Sequence, residues 1–316
     1  MSPSISFDGR EPVETVLAKA DAAVAAGVGS IWLACHLFER DPITTASVLL
    51  GRHRQLKIVL VALSPYVMHP VHVAMAAATL DEFFPGRISL CLGVGAPADL
   101  ASVGVSSTAS LATMREALDV CRALFTGERV RVDGDRFQVT GRTLGSGRHG
   151  IPLLLAASGP KMLGLAGRHA DGVLLSAGAS TEYVSWSLDQ VSTGAPAETF
   201  RRCGLVYAAV DTDERMARDH VRPVLATVLR GKHHALNLAL AGTQLDQDPL
   251  AASRPAEAAS LIDDSVVDKH AAAGTPENFR RRVTDYRAAG LEDTILASMR
   301  TPEQITTVVR ALKSTD

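Results

Sequence analysis

Short apolar runs alternate with amphipathic stretches along the chain, and the rhythm holds almost to the C-terminus. The runs are Ile5–Asp8, Ser30–Ala34, Lys57–Ala62, Arg87–Val94, Leu153–Ala157, Gly172–Leu175, Leu205–Val210 and Thr294–Ala297. KIVLVA (Lys57–Ala62) is apolar at successive positions, as a parallel strand covered on both faces requires. Helical periodicity predicts helices over Pro12–Ala26, Pro42–Leu50, Pro70–Phe84, Thr113–Phe125, Lys161–His169, Thr181–Val191, Asp213–Leu229, Thr275–Ala289 and Pro302–Leu312. Pro12 suits a first helical turn and Gly27 a C-cap, while Thr275-Pro276-Glu277 reads as a cap followed by an N1 proline. Parallel neighbours need such crossovers, so eight strands each followed by a helix predict an α/β fold, the (β/α)8 TIM barrel with insertions. An open doubly wound sheet is the alternative.

Two segments break the rhythm. Around Asp133–Gly134, within 127–150, the run ERVRVDGDRFQVTG alternates as a β-hairpin does. Residues 231–274 read as alanine-rich helical pieces without a strand, in the manner of a lid. The expected organisation is one barrel domain over 1–316 with excursions at about 127–150 and 231–274.

Composition narrows the function. Hydrophobic residues make up 47% of the 316, enough for a large core. A formal charge of −2 excludes a broadly basic nucleic-acid binder and a polybasic membrane-surface protein, and 4% aromatics argue against base stacking. Ile58–Leu80 lacks Lys, Arg, Asp and Glu, yet Ser64, Pro65, His69, Pro70 and His72 interrupt it. A buried strand, loop and buried helix are expected there rather than a membrane span. Cys35, Cys91, Cys121 and Cys203 form no CxxC pair, so neither a disulfide framework nor a zinc site is expected and a reducing cytoplasm fits. MSPSISFDGR carries neither the basic start nor the apolar core of an export signal.

A TIM barrel places its chemistry at the strand C-termini, which singles out Asp8, Cys35, His36, Ser64–His69, Gly93–Asp99, Ala157–Lys161 and Ser176–Gly178. LGVGAP (Leu92–Pro97) is not a dinucleotide fingerprint, because no glycine follows three residues after Gly95. AASGPK (Ala156–Lys161) leads straight into a helix, so Gly159 and the free N–H groups beyond it form a candidate phosphate site; a simple turn is the alternative. No P-loop, HExxH or GxSxG is present.

The runs SPYVMHP, TLDEF followed by PGR, LGVG, SGPKMLGLAG followed by ADG, and GTPENFRRRV occur in an order that resembles the luciferase-like oxidoreductases. The likeness covers nearly the whole chain, and is closest to the methylenetetrahydromethanopterin reductase branch, which uses the deazaflavin coenzyme F420. The resemblance implies a barrel holding flavin or deazaflavin at the strand C-termini, and a homodimer. It matches His36 to a histidine beside the reactive ring, a proton donor in some members; a hydrogen-bonded structural histidine is the alternative. Cys35 stands where many members carry an acid, and reads either as a reactive thiol or as a small packed residue. Val61–Ala62 matches a bulge with a non-prolyl cis peptide behind the ring, with Gly93 beside the ring and Ser64 facing its edge. After LGVG some members carry a catalytic glutamate; here that position is Ala98, and Asp99 is the candidate acid, with a solvated loop residue as its other reading. Asp8 has the same two readings. Ala157, Ser158, Gly159, Pro160 and Lys161 match the phosphate-side loop, and Ser176 a nearby polar contact.

Three functions follow from the resemblance. The first is an F420-dependent oxidoreductase acting on a small-molecule substrate, with His36 as proton donor and Asp99 or Asp8 assisting. The second is an FMN-dependent monooxygenase supplied by a separate flavin reductase. The third is a barrel that has lost catalysis and serves as a binding or partner subunit.

Overall fold

The computed structural model describes residues 2–145, 150–245, 259–260 and 262–313. Chain order begins β1 (Ser4–Phe7), α1 (Val13–Ala25), β2 (Ser30–Ala34), α2 (Pro42–Arg52), β3 (Lys57–Leu63), α3 (Pro70–Phe83), β4 (Ile88–Leu92), α4 (Pro97–Ser102) and α5 (Ser110–Leu124). A hairpin of β5 (Val130–Asp133) and β6 (Gln138–Arg142) follows. The chain resumes with β7 (Leu153–Ala156), α6 (Pro160–His169), β8 (Gly172–Leu175), α7 (Thr181–Ser192), β9 (Arg201–Val210), α8 (Glu214–Val228) and α9 (Ala235–Leu240). It ends in α10 (Asp264–His270), β10 (Ala272–Gly274), α11 (Pro276–Ala288), β11 (Asp293–Ala297) and α12 (Pro302–Lys313).

Strands β1, β2, β3, β4, β7, β8, β9 and β11 pair in that cyclic order, all parallel, and β11 returns to β1 through Ser4↔Ile295 and Ile5↔Leu296. The closed (β/α)8 barrel excludes the open sheet. Alternation divides each strand between two cores. Ile31, Leu33, Ile58, Leu60, Leu90, Leu153 and Leu155 face the helices. Trp32, Val59, Val61, Cys91, Leu154, Leu174, Cys203 and Ile295 fill the lumen. Both faces are dry, which is why the strands read as unbroken apolar runs. Each such fully buried side chain contributes roughly 1.5–3 kcal/mol. Arg201 pairs with Asp293 at 3.2 Å at the N-terminal end of the barrel, its guanidinium 5.9 Å from the Trp32 ring centre.

The predicted hairpin is present as a separate two-stranded sheet, with a four-residue loop between Asp133 and Gln138. The buried Glu116 carboxylate on α5 accepts the N–H groups of Asp135, Arg136 and Phe137, at 3.3, 2.8 and 3.2 Å. A Cβ on Gly134 would stand 2.5 Å from Glu116 Oε2, so this clamp needs glycine. Residues 146–149 of this excursion lie outside the described residues.

In the second excursion the expectation of helices without a strand is corrected. Ala272–Gly274 is a strand that pairs in parallel with Ala208–Val210, the outer end of β9. Above it a satellite core forms from Ala209, Val221, Leu225, Leu229, Leu238, Val267 and Ala273, among others. Arg218 bonds Asp268 at 2.9 Å and Arg222 bonds Asp264 at 2.6 Å, tying α8 to α10. Residues 246–258 and 261 of the excursion lie outside the described residues.

Candidate active site

The lumen layer sets the floor of the mouth. One step above it along the inward positions stand Ala34, Ala62, Gly93 and Ala156. These are methyl groups and one hydrogen, so no large side chain rises from the floor above Trp32 and Val61 at these four positions. A Cβ on Gly93 would lie 2.8 Å from the Ala62 Cβ and 3.3 Å from the Ala156 Cβ, so the two alanine methyl groups leave room only for glycine there. The Val61–Ala62 peptide is cis, and the pairing of β3 with β4 shifts register between Leu60 and Leu63. Val61 O accepts the Cys35 N–H at 2.6 Å, joining the bulge to the end of β2. Gly93 N–H donates to Leu63 O at 3.1 Å on the other side.

Titratable groups gather on one side. His36 is half-buried just past β2. Burial is the largest influence on its imidazole and pulls it below the usual value; Arg10 pulls the same way, while Asp8, Asp99 and Glu39 oppose. At neutral pH it is therefore the uncharged ring, able to accept or donate a proton. Asp8, half-buried past β1, accepts Arg10 N–H at 3.1 Å, and the Arg10 guanidinium bridges Asp8 and Glu39 at 3.8 and 3.4 Å. Asp99 lies in the first turn of α4, half-buried, beside the exposed Ala98. The structure thus brings Asp8 and Asp99 each within electrostatic reach of His36. Cys35 packs against the outer core, and burial pushes its thiol up, as does Asp41. A protonated, packed thiol is the reading this supports; a reactive thiolate is not.

Ser64 is 6% exposed and donates to Val94 O at 2.6 Å, so its proton braces the LGVG loop. On the far side of the mouth, Ala157 N–H donates to Leu174 O at 3.1 Å. Ser158 is half-buried, and Gly159 is the exposed N-cap of α6 with Pro160 at N1. Gly159 O accepts Leu163 N–H at 2.9 Å, and no side chain caps the N–H groups of the first turn. A Cβ on Gly159 would meet nothing within 4 Å, so the approach to these donors is open. Lys161 is exposed, and Ser176 is half-buried past β8.

Sequence reasoning missed three features. Tyr207 follows Cys203 and Leu205 on the inward alternation of β9, and burial pushes its phenol up while Arg10 and Asp8 act on it in opposite directions. Period-two counting along LVYAAV was the available signal. Arg10 and Glu39 came from loops and had no pattern. The third is a buried polar network under the loop after β8. Gly178 O accepts Asn237 Nδ2 at 2.8 Å and contacts His270 Nδ1 at 2.8 Å, while Asn237 Oδ1 accepts Ser180 N–H at 2.9 Å. Burial pushes the His270 and His234 imidazoles down to about 4 and about 3. Among the described residues no cluster of His, Cys, Asp or Glu could hold a metal, and no helix is long and apolar enough to cross a membrane.

A closed parallel barrel with titratable side chains and a free helix N-terminus around one mouth defines a TIM-barrel protein with its site at the strand C-termini. The chain belongs to the luciferase-like monooxygenase family, whose model matches residues 3–293. It is 27% identical over 293 residues to the 5,10-methylenetetrahydromethanopterin reductase of Archaeoglobus fulgidus, covering 88% of this chain and 87% of that one. The F420-dependent glucose-6-phosphate dehydrogenase of Nocardia farcinica is 26% identical over 256 residues, covering 76% and 72%. Among solved structures, the coenzyme F420-dependent tetrahydromethanopterin reductase of Methanopyrus kandleri superposes with a TM-score of 0.88 at 20% identity, covering 99% of this chain and 97% of that one. That last likeness is one of fold.

Proposed function

We propose that the protein is a coenzyme F420-dependent oxidoreductase acting on a small organic substrate. The observation that carries the reading is the floor. Ala34, Ala62, Gly93 and Ala156 raise no side chain beyond a methyl group, and Gly93 is packed too tightly between Ala62 and Ala156 to carry one, so a flat tricyclic ring can lie on this surface. The F420-dependent glucose-6-phosphate dehydrogenase named above supports the same cofactor. When bound, the deazaflavin supplies the hydride-transfer chemistry. The chain's own residues do the rest. Val61, Ala62 and Gly93 form the surface under the ring. The first-turn N–H groups of α6, with Ser158, Gly159, Pro160 and Lys161 around them, receive a phosphate at the helix's positive end, and Ser176 lies beside that side. His36, uncharged at neutral pH, holds or passes a proton at an imidazole nitrogen, and Asp8 and Asp99 set its charge balance.

Titration of the purified protein with F420 and with FMN tests this. Tight F420 binding with weak FMN binding is expected. The family's monooxygenase name favours a second reading, FMN with dioxygen and a separate reductase, which predicts the reverse preference and oxygen-dependent turnover. Binding of neither would leave a barrel without catalysis. A homodimer in the cytoplasm belongs to the same proposal. Val48 on α2 and Met75 and Phe83 on α3 stand 51, 47 and 73% exposed, which supports self-association through that side. Light scattering tests it, with a mass of twice 33.4 kDa expected.

A further inference from the structure

The chain has four tyrosines. Tyr66 donates to Thr108 O at 2.7 Å, Tyr286 donates to Ala179 O at 2.8 Å, and Tyr183 is buried with its ring stacked on that of Trp186. Tyr207 differs. Its ring packs on the satellite core below α8, yet among the described residues its hydroxyl has no hydrogen-bond partner. The residue is half-buried and its hydroxyl is not sealed from solvent, so a ligand in the mouth can reach it. The alternation of β9 turns it inward at the mouth, one layer above Leu205. Asp8 and Arg10 act on it, and the same two groups act on His36. In the cyclic order β9, β11, β1, β2, Asp8 at the end of β1 stands between Tyr207 and His36, and β11 contributes only the small Ala297 between them.

We propose that Tyr207 is a substrate-contacting residue whose hydroxyl donates a hydrogen bond to a carbonyl or hydroxyl oxygen on the substrate. The proposal rests on the functional reading above and extends it to the chemistry of the substrate. Packing fixes the ring while the tip stays open, so the donor is pre-aimed and little is lost in ordering it. Burial keeps the phenol protonated, so it donates throughout the working pH range. His36 and Tyr207 then approach one substrate from two sides, with Asp8 behind both.

The test labels the tyrosines with carbon-13 at Cζ, assigns the Tyr207 signal from Tyr207→Phe, and titrates F420-loaded protein with acetone, a minimal carbonyl acceptor. Acetone is expected to move the Tyr207 signal saturably and to leave those of Tyr66, Tyr183 and Tyr286 in place. Tyr207→Phe is expected to keep its melting temperature and its F420 affinity. It should bind acetone about ten-fold more weakly, as read by deazaflavin fluorescence, the loss of one hydrogen bond. An unmoved Tyr207 signal, or unchanged acetone binding in the variant, overturns the proposal. So does an equal loss of F420 affinity, which would make Tyr207 part of the cofactor wall. If Tyr207→Phe fails to fold, single Phe replacements of the other three tyrosines assign the signal in the parent. If F420 itself does not bind, the functional reading falls first, and the acetone titration of unloaded protein still decides Tyr207.

Discussion

Around β1, β2, α4 and β9 the mouth presents titratable side chains, whereas around β3, β4 and β7 it presents backbone and methyl groups. Asp8, His36, Asp99 and Tyr207 share the first side with Arg10 and Glu39. Ala62, Gly93, Ala156 and Gly159 make the second. The first side can change protonation, so it suits the proton half of a redox reaction. The second cannot, and offers shape and fixed N–H dipoles, which suit a ring and its phosphate. The division predicts that changes on the two sides separate cleanly into turnover and cofactor affinity.

The largest effect should come from the titratable side. His36→Ala is expected to lower turnover by about 10²–10⁴, the range for loss of a general acid or base, with F420 affinity nearly unchanged. Stopped-flow oxidation of the cofactor measures the first and fluorescence titration the second. A parallel loss of both would break the division. Asp8→Asn sharpens it through pH. Asp8 raises the His36 value, so its removal lets the imidazole fall further, and the acid limb of the rate profile should move to lower pH. Movement toward higher pH would place Asp8 away from His36.

Gly93→Val comes next, on the opposite side. Its Cβ would stand 2.8 Å from that of Ala62, a distance packed Cβ atoms essentially never adopt, and 3.3 Å from that of Ala156, which is tighter than ordinary contact. Overpacking of this kind costs roughly 1–3 kcal/mol, visible in urea unfolding, and the raised floor should abolish measurable F420 binding. A variant that binds F420 as the parent does would remove the floor from the argument.

The two sides also differ in how far the sequence revealed them. His36, Asp8 and Asp99 could be picked out because acids and histidine after a strand are conspicuous by type. The backbone side could not, since alanine and glycine carry no chemical flag; the cis Val61–Ala62 peptide was reached through family resemblance alone. All eight barrel strands were legible because both of their faces are dry. The start of β9 was not. Arg201 and Arg202 look like loop, yet they pair with Asp293 at 3.2 Å and Glu292 at 2.5 Å at the barrel's lower end. The three residues of β10 and six of α4 are too short to show a period, and alanine in β10 reads as helix. Tyr207 hid as an ordinary core aromatic, because inward alternation does not distinguish the lumen core from the mouth above it.

The loop after β8, which carries Ser176, links the two sides, and its support should weaken with acid. His270 and His234 are held neutral at about 4 and about 3, against 6.5 without the fold. Between those values the unfolded chain binds more protons, so stability is full above about pH 6.5 and falls as pH drops toward 4. Each histidine contributes a slope of up to about 1.4 kcal/mol per pH unit. Urea unfolding from pH 7 to 4.5 measures it, and His270→Gln, which keeps a donor, should flatten it. An unchanged slope in that variant would take His270 out of the network.

The smallest expected effect isolates the anion site. Gly159→Val adds two methyl groups where a Cβ meets no atom within 4 Å, and Gly159 has φ −104°, which any residue adopts. The fold should therefore be untouched, with the melting temperature of the parent. The branched side chain instead occupies the approach to the free N–H groups of Lys161 and Met162. A phosphate there gains about 0.3–1 kcal/mol from the helix dipole in addition to its hydrogen bonds, so displacing it should weaken F420 by about five-fold or more. The loss should be confined to forms of the cofactor that carry the phosphate. A deazaflavin truncated before its phosphate should bind parent and variant alike. Equal weakening of both forms would mean that position 159 touches the ring rather than the phosphate, and no weakening of either would place the anion site elsewhere around the mouth.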